Sequence, residues 1–283
     1  MMIYKSIDKE QIGFLLPERR KDSHKGDYGK VLLLCGSRGY TGAAALSAMG
    51  ALRTGAGLVY LGVPESIYAI EATKLLEPVV IPFPDENGMF SRPAVYKALE
   101  LLPVMDAVLI GCGIGKSEGT CCFVKSVLEN ATCPVVLDAD GINVISQHKD
   151  ILRERTAPTI LTPHDGEFLR IGGRITEDRC QCAVDFAKEM GCILLLKGYR
   201  TVITDGYQCY INQTGNPGMA TGGSGDVLAG MIVSLIGQKL PPLEAAACGA
   251  WLHGRAGDIC ADEIGQYGML PQDMLQVLPR LLR

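Results

Sequence analysis

Residues 214–230 read Thr-Gly-Asn-Pro-Gly-Met-Ala-Thr-Gly-Gly-Ser-Gly-Asp-Val-Leu-Ala-Gly. Four glycines fall within the eight residues 218–225, and they deliver one acid, Asp226, to the start of an apolar helix carrying Val227, Leu228, Ile232, Leu235 and Ile236. The first N–H groups of a helix lack intrahelical acceptors, and the dipole is positive at that end. Glycine-rich backbone leading into such a start forms a receptor for phosphate or another anion. Gly222, Gly223, Ser224 and Gly225 are therefore the candidate anion hole. A carboxylate beside a bound anion is unfavourable unless it acts on something, and a hydroxyl to be deprotonated is the natural partner. An Asp before an apolar helix commonly serves only as a cap. The glycine density favours Asp226 as a general base, because a cap does not need it and a closely approaching ligand does.

Outward from this stretch, composition bounds the function. The 283 residues are 47% apolar and 20% charged, enough for a large α/β core in one or two domains. A net charge of −4 without a basic block argues against a nucleic-acid partner. No run approaches the length of a membrane span, and the first residues lack the apolar core of a signal peptide, so a cytoplasmic location is expected. The eleven cysteines contain no Cys-x-x-Cys spacing and mostly sit inside apolar runs. They are expected to be structural, as small buried hydrophobes in a reducing compartment.

Short apolar runs alternate with helical patterns from residue 30. Strands are predicted at Val31–Cys35, Leu58–Val63, Ala107–Ile110, Val135–Leu137, Thr159–Leu161 and Ile193–Leu196. Helices are predicted at about 41–54, 91–102, 117–130, 141–147, 177–190, 224–237, 242–262 and 271–282. Such alternation predicts a mostly parallel sheet covered on both faces. The pattern then changes: 201–204 and 208–211 flank Asp205-Gly206-Tyr207, a hairpin turn, so a late antiparallel pair is expected. The whole chain, 1–283, reads as one three-layer α/β/α domain with an N-terminal helix at about 6–16. In that helix Ile7, Ile12, Phe14, Leu15 and Leu16 either cover the core or serve assembly.

Ligands of open parallel sheets bind beyond the carboxyl ends of the strands, and the remaining motifs fall there. Gly36–Ala43 leaves the first strand, Gly111-Cys112-Gly113-Ile114-Gly115 another, Leu161–Glu167 a third and Lys197–Thr201 a fourth. Neither glycine loop fits the dinucleotide G-x-G-x-x-G fingerprint or the P-loop. His164 follows Thr-Pro at a strand end, with Glu167 on the same face of the next turn. An imidazole there can hold a substrate amide or phosphate or carry a proton; Glu167 reads equally well as a first-turn helix acid. Lys197 ends an apolar strand at the ligand edge of an acidic chain, a natural counter-charge for phosphates.

Taken in this order, the motifs resemble the ribokinase-like superfamily and, within it, the ADP/ATP-dependent NAD(P)H-hydrate dehydratases. The resemblance runs from His24-Lys25-Gly26-Asp27-Tyr28-Gly29 to the end, and is most specific in Lys25–Gly42, Leu161–His164, Lys197–Thr201 and Asn216–Asp226. It implies a ribokinase-like sandwich and a repair enzyme that acts on the S epimer of hydrated NADH or NADPH. Asp226 would take the proton from the C6 hydroxyl, which attacks the terminal phosphoryl group of ADP or ATP. Gly222–Gly225 would hold the transferring group, and the ring nitrogen would then expel phosphate and restore the double bond. Position by position, the hydrate would touch Ala43, Gly113, His164 and Asp226. The nucleotide would touch Lys197, Gly198, Tyr199, Arg200, Thr201 and Gly225. Mg2+ is expected with the nucleotide rather than in a permanent carboxylate site. ADP is favoured over ATP, and a homo-oligomer, a tetramer, is implied. Many members carry an attached epimerase domain, for which this chain leaves no length. The alternatives are a ribokinase-like kinase of a small vitamin precursor, and a nucleotide-binding sensor without turnover; the His164-x-x-Glu167 sequence counts against the former.

Overall fold

Ten strands hydrogen-bond into one sheet in the computed structural model, which describes residues 4–6, 9–16 and 18–282. In chain order they are β1 (Tyr4–Ser6), β2 (Lys30–Leu34), β3 (Leu58–Pro64), β4 (Val79–Phe83), β7 (Ala107–Ile110), β8 (Val135–Leu137), β9 (Thr159–Leu161), β10 (Ile193–Leu196), β11 (Val202–Thr204) and β12 (Cys209–Ile211). Between β4 and β7 a two-stranded ribbon, β5 (Asp85–Glu86) and β6 (Met89–Phe90), stands apart from the sheet. The sheet order is β1-β12-β11-β10-β9-β8-β7-β2-β3-β4. Only β11 runs antiparallel to its neighbours, as the Asp205–Tyr207 turn predicts. The chain first steps from β2 outward through β3 to β4, then returns to β7 on the other flank of β2. The order therefore reverses between β2 and β7, and such a switch point opens the ligand crevice of doubly wound sheets.

Alternation along the central strands explains the layers. Val31 and Leu33 of β2 enter one apolar cluster, and Leu32 and Leu34 enter the other. The first cluster is covered by α1 (Lys9–Leu15), α2 (Thr41–Arg53), α3 (Glu65–Lys74), α10 (Ser224–Gly237), α11 (Pro242–Ile264) and α12 (Pro271–Leu281). The second lies under α4 (Ala94–Leu101), α5 (Glu118–Asn130), α6 (Ala139–Ile145), α7 (Ile151–Glu154), α8 (Asp165–Arg170) and α9 (Arg179–Met190). Strands buried on both faces carry unbroken Val, Ile and Leu runs, which is why these six strands are readable. Among the described residues, no helix is long and apolar enough to cross a membrane.

Three expectations change. The helix expected at about 6–16 spans Lys9–Leu15, and residues 4–6 instead form β1, which adds in parallel to β12. Ile12 is buried and Leu15 and Leu16 pack on the core, whereas Ile7 lies outside the described residues. Strand β4 is unpredicted because Pro82 interrupts its apolar run; it forms the sheet edge, where a missing N–H donor is tolerated. Helix α3 is unpredicted because it buries only Ile67 and Glu71, too little for an amphipathic pattern.

Candidate active site

The glycine turn before α10 needs glycine at Gly223, which caps the helix with φ 95°, a left-handed conformation costly for other residues. The first intrahelical bond runs from the Val227 N–H to the Gly223 carbonyl at 3.2 Å, and the Ser224 N–H donates back to the Thr221 carbonyl at 3.4 Å, so within Gly222–Gly225 it is the glycine N–H groups that remain for a ligand. Behind this turn, Ser224 Oγ lies 3.4 Å from Nε2 of His253 on α11. Burial pushes the His253 pKa down to about 4, so the imidazole supports the turn as a neutral group.

Asp226 stands at the centre. Its carboxylate, that of Asp138 and the Cys112 thiol lie within 4.8 Å of one another. Asp138 is the ion-paired acid: it accepts from Lys197 Nζ at 2.9 Å and from Thr162 Oγ1 at 2.7 Å. Burial, and then the charge of Asp138, push the Asp226 pKa up to about 7, against smaller opposing effects of Cys112 and Lys197. A carboxyl group tuned to that range accepts a proton at neutral pH and holds it well enough to matter. Lys197 has its pKa raised although burial alone would lower it, because Asp138 and Glu167 outweigh the desolvation. Cys112 is pushed well up by its hydrogen bond with Cys35 and by burial, and so stays a thiol.

That triplet is the one cluster of possible metal ligands among the described residues. It does not fit a resident Mg2+. The ion takes six oxygens in an octahedron, whereas here one donor is a protonated thiol and Asp138 already carries the Lys197 ammonium.

The other expected residues surround this centre. Gly113 adjoins Cys112 in sequence, and a methyl group on it would meet the Ala43 Cβ at 2.8 Å, so Ala43 and Gly113 form one shelf at the β2–β7 switch point. His164 caps α8: its Nδ1 accepts from Gly166 N–H at 3.0 Å, and Glu167 accepts from the His164 N–H at 2.9 Å. Glu167 is buried, lies 3.4 Å from His164 Nε2 and 3.9 Å from Lys197 Nζ, and so is both first-turn acid and link to the lysine. Gly225 is open toward the same groups, a methyl there falling 3.3 Å from Lys197 Nζ. Gly198, Tyr199, Arg200 and Thr201 form the β10–β11 hairpin tip, where Tyr199 is 94% exposed.

Four residues escape the motif reading. Asp138 leaves β8 at the same carboxyl edge, so the strand-exit rule was sufficient to find it. Cys112, buried as expected of the cysteines, also lies beside the acids, with its Sγ 3.6 Å from Asp138. Arg179 on α9 donates to the Lys197 carbonyl at 2.6 Å and pairs with Asp165 at 2.5 Å, clamping the hairpin to α8; it and His253 have no signal in the local sequence.

Known proteins resemble this chain in sequence and fold. The profile of a family described as NAD(P)H-hydrate dehydratase matches residues 31–280. The chain is 46% identical over 275 residues to a bifunctional NAD(P)H-hydrate repair enzyme of Moorella thermoacetica, covering 95% of this chain and 52% of that protein. It thus spans about half the length of such bifunctional relatives. It is 35% identical over 281 residues to the ADP-dependent (S)-NAD(P)H-hydrate dehydratase of Bacillus subtilis, covering 96% of both chains. The structure of the ADP/ATP-dependent NAD(P)H-hydrate dehydratase from Bacillus subtilis, co-crystallised with ATP/Mg2+, superposes with TM-score 0.84 at 33% identity, over 99% of this chain and 98% of that one. A ribokinase-like superfamily protein from Enterococcus faecalis gives TM-score 0.86 at 27% identity, over 99% and 95%.

Proposed function

We infer the reaction from one premise: this chain belongs to the NAD(P)H-hydrate dehydratase family. The activity proposed is the ADP-dependent dehydration of the S epimer of hydrated NADH or NADPH, giving the reduced cofactor, AMP and phosphate. ATP is the alternative phosphoryl donor, and Mg2+ enters as part of the nucleotide substrate. The observation that carries this reading is Asp226, a carboxyl group pushed up to about 7 in the first turn of a helix that starts from a glycine-rich turn.

Hydroxide is a poor leaving group, and phosphorylation makes it a good one. In this reading the C6 hydroxyl lies between Asp226 and the Ala43–Gly113 shelf, with His164 at its margin. The nucleotide lies across Lys197–Thr201 with its terminal phosphoryl group against Gly225. Asp226 accepts the hydroxyl proton as the oxygen attacks the terminal phosphorus and the bond from that phosphorus to the departing AMP breaks. The N–H groups around Gly222–Gly225 and the Lys197 ammonium stabilise charge on the transferring group, where phosphoryl transfer needs it most. The ring nitrogen lone pair then forms the iminium as the C6–O bond breaks. Loss of a C5 proton restores the double bond.

The deciding assay follows absorbance at 340 nm with Mg2+, ADP and hydrated NADH. A nucleotide-dependent rise is expected, with loss of about 10²–10⁴-fold in Asp226→Asn, the range for removing a general base. A stable phosphorylated product without the rise would instead identify a small-molecule kinase. Assembly as a homo-oligomer, a tetramer, belongs to the same reading; exposed Ile70, Leu76 and Val79 near the β4 edge supply an apolar surface for it.

A further inference from the structure

A cavity of about 430 Å³ lies at the carboxyl edge of the sheet, on the far side of the Ala43–Gly113 shelf from Lys197. Three elements wall it: the β5–β6 ribbon with Glu86, Asn87 and Met89, the start of α4 with Arg92, and the start of α5 with Ser117 and Glu118. Its volume falls within the range of about 300–1,000 Å³ typical of small-molecule sites. The wall is continuous with the shelf. Ser37 Oγ donates to the Gly113 carbonyl at 2.7 Å, Arg38 N–H donates to the Gly88 carbonyl at 2.9 Å, and a methyl on Gly115 would meet Met89 Sδ at 2.6 Å.

We propose that this cavity receives the adenosine-phosphate half of the hydrated dinucleotide. The inference rests on the dehydratase reading and extends it along the substrate. With the ring at Asp226 and the phosphoryl donor on the Lys197 side, the rest of the substrate has to leave across Gly113, and the cavity borders that loop through Met89, which packs on Gly115. Its chemistry matches the ligand. Arg92 supplies a fork of donors for phosphate, Asn87 and Ser117 supply neutral hydrogen-bonding groups, and Glu86 and Glu118 accept from ribose hydroxyls, as an acidic residue does in dinucleotide folds. Arg92 is ion-paired with Glu118, and both side chains are well exposed. Such a surface pair is weak, so the guanidinium exchanges it for a phosphate and releases the carboxylate to the sugar.

The test is calorimetric, without nucleotide, and compares hydrated NADPH with hydrated reduced nicotinamide mononucleotide, which lacks the second half. Wild-type protein is expected to bind the dinucleotide about tenfold or more tighter, the worth of one or two charge-assisted hydrogen bonds. Arg92→Ala should remove most of that preference and leave the affinity for the mononucleotide unchanged, while Arg92→Lys restores part of it. Equal affinity of the wild type for both ligands, or a preference that survives Arg92→Ala, overturns the proposal and leaves the dehydratase reading standing. Failure to bind either hydrate removes both.

Discussion

At the scale of single residues, the proposed chemistry turns on two acids, Asp138 buried and Asp226 half-buried, that share a crevice and differ in their partners. Asp138 has an ammonium and a hydroxyl within hydrogen-bonding distance. Asp226 has burial and the neighbouring charge of Asp138, which together favour its protonated form up to about pH 7. The sign for catalysis follows directly. A base works only when deprotonated, so kcat/KM should rise with pH up to about 7 and level off above it. Asp138→Asn removes the like charge and lets the Asp226 pKa fall, so the rising limb should move to lower pH. The same substitution costs Lys197 its partner and should raise the KM for nucleotide. A pH series of kcat/KM on both proteins checks this, and a limb that stays in place would assign the whole shift to burial.

At the scale of elements, α2 and α10 lie backbone against backbone. A methyl on Gly230 would be driven into the Ser47 carbonyl oxygen, and one on Gly50 would fall 2.6 Å from the Val227 carbonyl oxygen. Replacing a helical glycine by alanine ordinarily stabilises by about 1 kcal/mol. Here Gly230→Ala should instead destabilise by about 1–3 kcal/mol, the cost of overpacking, measurable by urea denaturation. It should also lower activity, because α10 carries Asp226. Nothing local to Gly230 announces this contact, and that marks the boundary of what sequence conveys. The buried strands, the hairpin and the glycine turn are legible because each is dictated by neighbours in the chain: unbroken Val, Ile and Leu runs, a Asp-Gly turn, a capped helix start. The meeting of Asp226, Lys197 and His164 at one sheet edge is legible for the same reason, since each follows a strand or a glycine turn. Asp138, Arg179 and His253 matter through partners distant in sequence, and β4 hides behind Pro82, whose tolerance depends on the strand being last in the sheet.

At the scale of the whole molecule, one sheet brings the loop proposed for the phosphoryl donor, the proposed base and the shelf proposed for the hydrate side by side along its carboxyl edge. A ligand that binds only the folded chain stabilises it by mass action, about 2.7 kcal/mol at a hundredfold excess over Kd. ADP with Mg2+ should therefore raise the melting temperature by about 5–10 °C, at 2–4 °C per kcal/mol for a chain of this size. Lys197→Ala should abolish most of that rise, and a scanning-fluorimetry titration of both proteins reads it. The glycine contact between α2 and α10 has a mechanical consequence as well. With Gly50 and Gly230 leaving no slack, the two helices that bear Ala43 and Asp226 form a fixed anvil. A bulkier side chain at either glycine would have to displace both helices together, and with them the two residues they hold on either side of the crevice.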